Sequence, residues 1–399
     1  MNKYSMQLGT ESINKLLVKL SLPATIGMIV NALYNLVDTI FVGRGVGYLG
    51  IAGLSIALPI QMVIMSFAFM VGIGASSAVS RNLGSDNLER AEKIAGNSFV
   101  LILLVIAVIA ALGYSFIDPL LRFFGASETI LPYARDYMQI ILGGSIFFGF
   151  AMSANNLIRS EGNAKVAMIA MIIGTGLNII LDPIFIFTLD MGIKGAAWAT
   201  VIAQFVSFIY VVKYFLSGKS SLKFQWHHLK LEMNIIKEIL TVGFPAFIRQ
   251  ISGSVLAIIM NNSLGYFGGD IAITVYGMIN RVMMFLLMPL FGIVQGMQPI
   301  VGFNYGAKKY ARVKETIKKS ILVTVLFTSV SWVITQLFPG VIIKVFTDEP
   351  EVITLGITAI RIIFLAIPII GIQIISGALF QSLGKAKPAF ILSIMRQMI

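Results

Sequence analysis

Two carboxylates stand out because they sit where a charge is expensive. Asp38 lies inside a long apolar run as Asn35-Leu-Val-Asp38-Thr39, and Asp182 inside another as Asn178-Ile-Ile-Leu-Asp182-Pro183. An ionised side chain in a membrane span costs about 2.5–3.5 kcal/mol on insertion scales, so such groups are functional candidates by default. Asn31, Tyr34, Asn35 and Asp38 fall at i, i+3, i+4 and i+7, one polar stripe on one helix face. Asn178 and Asp182 share a face, with Thr175 one turn earlier. Pro183 removes an amide donor and should leave the Ile179 carbonyl as a nearby acceptor. Carboxylates brought close in a low dielectric resist joint ionisation. They would bind protons, or a hard cation such as Na⁺ through oxygen ligands. The blander readings are packing by a hydrogen-bonded Asp38 and a simple Asp-Pro helix end at Asp182.

The elements that must position these groups are membrane spans. Hydrophobic residues make up 57 % of the 399-residue chain and charged residues 12 %, with mean hydropathy +0.89. A water-soluble fold cannot bury that much apolar surface. Spans are read near 16–43, 51–80, 95–117, 129–157, 164–189, 193–216, 239–264, 271–303, 317–343 and 352–380, with a last one from about 386. The runs lack the alternation of a barrel wall, so the fold is an all-α polytopic membrane protein.

Sliding the chain on itself by 222 residues aligns its halves. Pro23-Ala24-Xaa-Ile26 meets Pro245-Ala246-Xaa-Ile248, and Gly47, Gly84 and Lys165 meet Gly269, Gly306 and Lys387. The reading is two parallel six-helix repeats. Residues 1–216 form the first lobe, 217–237 a cytoplasmic linker, and 238–399 a second lobe cut within span 11. Twelve spans are expected, and roughly 40 residues would follow Ile399, from the first-half spacing and span length.

The net charge of +12 reflects topology, not nucleic-acid binding. Twenty-one Lys and Arg residues fall on the side of the N-terminus and five on the other, with Arg249, Arg281, Arg361 and Arg396 inside spans. The positive-inside rule then places the N-terminus in the cytoplasm. No cysteine is present, which removes disulfides and thiolate metal sites. No P-loop, zinc spacing or serine elbow is found, so the chain reads as a non-enzyme without a resident cofactor. His227 and His228 lie in the linker and read as structural. Arg281, deeper in its span than Arg249, is a candidate for pairing across a cleft. Met278, Met283, Met284 and Met288 read as lipid-facing or packing residues. The position repeating Asp38 in the second half is Met260, which puts a coupling-cation site in the first lobe alone.

These features together resemble the multidrug and toxic compound extrusion (MATE) family, most closely its DinF-type branch. The resemblance rests on Pro23, Asn35-Leu-Val-Asp38, Arg159-Ser-Glu-Gly162-Asn-Ala-Lys165, Asn178-Xaa3-Asp182-Pro183 and Gln381-Ser-Leu-Gly384-Lys-Ala-Lys387. It implies a monomeric secondary transporter in the bacterial cytoplasmic membrane, among membrane lipids. Such a protein would exchange amphipathic or cationic small molecules for H⁺ or Na⁺ by alternating access. It implies a cation site at Asp38, Asn178, Asp182 and Thr200, which would also hold Na⁺ if that is the coupling ion. Bending of the first span is placed at Pro23, and cavity positions at Asn31, Tyr34 and Asn155, beside Asn35, Thr175 and Arg281 from the residue reading. The rivals are a flippase for a lipid-linked sugar, which calls for a strongly cationic cavity, and, less compatibly, a membrane-embedded enzyme or a channel.

Overall fold

The computed structural model describes the backbone of residues 1–223 and 225–398. Side chains at 254, 255, 257, 258, 261, 262, 265, 270, 273 and 396–398 lie outside the description, Arg396 among them. Among the described residues there are helices and connecting turns, and no strand.

A short amphipathic helix α1 (Lys3–Thr10) opens the chain, its first turn capped by the Asn2 side chain. The first lobe follows as α2 (Ile13–Gly45), α3 (Tyr48–Gly84), α4 (Leu88–Ser115), the short α5 (Ile117–Phe123), α6 (Leu131–Ser160), α7 (Ala164–Pro183) and α8 (Gly192–Leu216). The second lobe holds α9 (Met233–Gly306), α10 (Tyr310–Leu337), the short α11 (Pro339–Lys344), α12 (Pro350–Ile363), α13 (Ile367–Ser382) and α14 (Ala386–Met398). Nine helical stretches among the described residues are long and apolar enough to cross a membrane. The part of α9 before Gly269 occupies the place of the seventh expected span.

Helix boundaries recur at the sequence offset. Leu88–Ser115 in the first lobe becomes Tyr310–Leu337 in the second, and α6 and α13 end on Ser160 and Ser382. The turns recur too. Gly47 has φ 88° and Gly269 φ 60°, a region side-chain-bearing residues avoid, so the same reversal joins the first two spans of each lobe. In α9 that single residue does the whole work of a loop, which makes Met233–Gly306 two spans in one continuous helical stretch. Even the rare non-glycine positive φ repeats, at Asp86 (60°) and Lys308 (57°).

Helices reach beyond the apolar stretches on the side of the linker, because Arg81, Arg90 and Glu92 continue a helical pattern after hydropathy has fallen. There the lobes meet backbone to backbone. A Cβ on Gly84 would overlap the Phe303 carbonyl oxygen, and one on Gly306 would overlap the Arg81 carbonyl oxygen. Since 84 and 306, like 81 and 303, are related by the repeat, a local two-fold axis runs through this contact. Small residues permit such close approach between spans. Ion pairs rim the contact, with Glu238 taking Arg81 at 2.8 Å and Arg90 at 3.1 Å.

The linker is strapped to the first lobe. Asn97 Nδ2 donates to the Lys230 carbonyl at 3.0 Å, while its Oδ1 accepts from the Glu232 amide at 2.7 Å. Glu92 accepts from the Lys223 amide at 2.9 Å and lies 3.8 Å from the buried His228. Helix α1 bridges the lobes. Its Leu8 carbonyl accepts from Asn304, its Gly9 carbonyl from Lys309, and Glu11 O from Arg312 at 2.6 Å.

Candidate functional site

Asp38 on α2 and Asp182 at the end of α7 are buried, 8 % and 0 % exposed. Helices α2 and α7 pack together, and the two carboxyl groups lie against each other. Pro183 is what places Asp182 there. The regular helix ends at that residue and widens into one π turn, Ile184–Thr188, closed by the Leu189 amide on the Ile184 carbonyl at 2.9 Å. Single π turns of this kind recur at functional positions in helices.

Asn178, one turn before Asp182, donates through Nδ2 to Thr200 Oγ1 on α8 at 3.1 Å. That bond fixes the amide, so its oxygen is turned away from Thr200. Oδ1 of Asn178, Oδ1 of Asp38 and both oxygens of Asp182 are buried and meet no hydrogen-bond donor among the described residues. Four oxygen acceptors without donors, two of them on one carboxylate, form a set that calls for a proton or a small hard cation. The oxygen ligands present therefore fit either H⁺ or Na⁺. Among the described residues no cluster of three His, Cys, Asp or Glu side chains that could hold a metal ion occurs.

The other sequence candidates are more dispersed. Tyr34 stands half-buried beside Asp38 and Asp182, whereas Asn31 and Asn35 are exposed on α2, with Asn35 Nδ2 donating to the Asn31 carbonyl. Thr175 is buried and donates to the Met171 carbonyl at 2.9 Å. Asn155 is buried on α6 with an unpartnered Oδ1, and Arg281 is exposed. Pro23 lies within an unbroken α2. A cavity of about 190 Å³ opens between the lobes, and none of Asn31, Tyr34, Asn35, Asn155, Thr175 or Arg281 lines it.

Three features escaped the sequence reading. Tyr137 on α6 stands next to the carboxylate pair and accepts from Gln61 Nε2 at 3.3 Å; a lone tyrosine in an apolar span carries no charge to flag it. Glu161, read only as part of a loop signature, is fully buried. It accepts from Ser220 Oγ at 2.7 Å, the Ser221 amide at 2.7 Å and Tyr214 OH at 3.4 Å. Burial nonetheless pushes its pKa up to about 7. Third, the inter-lobe cavity is lined by glutamines, which a search for ionisable groups passes over.

A pair of repeated helical lobes, clasped at one end and carrying a buried carboxylate pair in the first, is the architecture of a multi-pass membrane transporter. The chain belongs to the MatE family, whose model matches residues 23–184 and again 245–399; the two matches begin 222 residues apart. The multidrug export protein MepA of Staphylococcus haemolyticus (strain JCSC1435) is 27 % identical over 383 residues, 96 % of this chain and 84 % of the relative. Among solved structures, the MATE multidrug transporter DinF-BH, solved as a complex, is 48 % identical. It is covered over 90 % of its length by all of this chain, with a TM-score of 0.90. An outward-facing MATE family transporter of the MOP superfamily is 29 % identical, with TM-score 0.93 over 100 % of this chain and 89 % of that one.

Proposed function

We propose that this protein is an efflux antiporter that exports amphipathic cationic compounds in exchange for H⁺ or Na⁺ bound at Asp38 and Asp182, with Asn178 and Thr200 completing the site. One observation carries the reading: two buried carboxyl groups face each other with no donor on Asp182 among the described residues, in a lobe whose repeat partner has Met260 at the position of Asp38. Its relatives support it, since MepA is a multidrug export protein and DinF-BH is a multidrug transporter.

In the mechanism, the pair is ionised while a cationic compound occupies the cleft, and its negative charge favours the compound. Uptake of the coupling cation from outside neutralises the pair, weakens that attraction and favours release outward. The cycle returns the cation to the cytoplasm. Coupling requires each ligand to prefer a different state; moving an equilibrium from 1:99 to 99:1 takes about a 10⁴-fold difference in affinity. The protein acts as a monomer in the bacterial cytoplasmic membrane with its N-terminus inside.

The test is efflux of the fluorescent cation rhodamine 6G from proteoliposomes under an imposed pH or Na⁺ gradient. Wild type should respond to one gradient, and Asp38→Asn, folded as judged by size-exclusion profile, should not. Absence of any gradient response in wild type would refute antiport. Gradient-driven efflux that survives in Asp38→Asn would remove the first-lobe carboxylate from the mechanism.

A further inference from the structure

The inter-lobe cavity differs in chemistry from the carboxylate pair. Its apolar wall is formed by Met28, Phe69, Ile73 and Phe291. Its polar lining is made of amides, including Gln250, Gln295, Gln298, Gln373 and Gln381, the Ser393 hydroxyl, and one charged group, the Arg249 guanidinium. Among the described residues no carboxylate lines it.

Gln381 carries the argument. It is 2 % exposed, ends on the cavity, and its Nε2 has no acceptor among the described residues. Its backbone is held in place, because Ser77 Oγ donates to the Gln381 carbonyl and itself accepts from Arg81. The side chain is thus presented from a fixed backbone with its donor unsatisfied, a state that an incoming acceptor would relieve. Gln295 is oriented the other way, with Nε2 donating to Met28 Sδ at 3.3 Å and Oε1 left as an unpartnered acceptor.

We propose that this cavity is a separate ligand site for the carboxylate of an amphipathic organic anion, with Gln381 Nε2 and Arg249 as its donors and the apolar wall taking the hydrocarbon body. The inference rests on the transporter reading and extends its substrate class from cations to acids. A guanidinium with adjacent amide donors recognises a carboxylate, whereas a cation would meet no negative group among the lining residues.

The test uses the full chain in lipid nanodiscs and the probe 11-(dansylamino)undecanoic acid, read by dansyl emission, beside its uncharged methyl ester and rhodamine 6G. The acid should bind at least tenfold more tightly than the ester. Gln381→Glu should weaken the acid at least tenfold and tighten rhodamine 6G. Equal binding of acid and ester, or an acid affinity in Gln381→Glu within twofold of wild type, would overturn the proposal. If Gln381→Glu does not fold, Gln298→Glu reads the same reversal of sign. Failure of rhodamine 6G efflux with acid binding intact would refute the antiporter and leave the site standing; the opposite result would refute only the site.

Discussion

At the scale of single residues, the Asn178–Thr200 bond is what keeps the Asn178 oxygen aimed away from Thr200 and free of donors. Thr200→Val removes that anchor, worth about 1 kcal/mol. The coupling-cation concentration for half-maximal efflux should therefore rise, by roughly fivefold if that energy is lost wholly from cation binding, measured in the proteoliposome assay on protein that still expresses and runs as a single folded species. Glu161 supports a prediction of a different kind. Its pKa in the fold is about 7, above its ordinary 4.5, so the folded protein holds a proton that the unfolded chain releases between those values. Stability from this group is therefore full below about pH 4.5 and is lost as pH rises through about 7. Thermal unfolding followed from pH 5 to 8.5 should show wild type losing stability more steeply than Glu161→Gln; parallel curves would show that Glu161 does not titrate there. Neither role could be read from the sequence in full. Asp38 and Asp182 announce themselves by charge inside apolar runs, but burial of Glu161 depends on Ser220, Ser221 and Tyr214, residues 53 to 60 positions away that no local pattern connects to it.

Among the elements, the repeat was legible and its consequences were not. A constant offset anticipates that α10 begins where α4 does, and Gly47 and Gly269 mark the same reversal because both need positive φ. The sequence does not show that Gly84 and Gly306 press on each other's neighbouring backbone, since that contact joins segments more than two hundred residues apart. It closes the linker end of the cleft. Gly306→Leu would place a side chain where the Arg81 carbonyl lies, so the N-terminal ends of α4 and α10 must separate. Spin labels at Glu89→Cys and Ala311→Cys, both exposed and related by the repeat, should report a longer mean distance in the leucine variant by double electron–electron resonance. An unchanged distance would mean that the glycine contact is not what holds that end shut.

For the whole molecule, charge sets orientation. Of the five basic residues on the sparse side, Arg122 pairs with Glu128, Arg135 with Asp118 and Lys194 with Asp136, but the rule counts Lys and Arg whether or not they are paired, and the bias stays at 21 to 5. The opposite face keeps its excess of Lys and Arg, as the positive-inside rule would require of the proposed cytoplasmic surface. Because the chain has no cysteine, single replacements are directly readable. Phe123→Cys, 82 % exposed on α5, should react with a membrane-impermeant maleimide in intact cells, and Trp226→Cys, 90 % exposed in the linker, only after permeabilisation. The reverse pattern would invert the orientation. The strap that ties the linker to the first lobe has a further consequence, in the order of synthesis. Its partners Glu92, Asn97 and Glu161, and the linker groups they hold up to Glu232, all precede the second lobe in the chain. At 5–20 residues per second the ribosome needs on the order of ten to thirty seconds to make residues 233–399 alone. In that interval the first lobe can be sealed on its linker side, with the carbonyls of Leu8, Gly9 and Glu11 already set out for Asn304, Lys309 and Arg312 when they emerge. Every partner in the strap is therefore synthesised before the second lobe emerges.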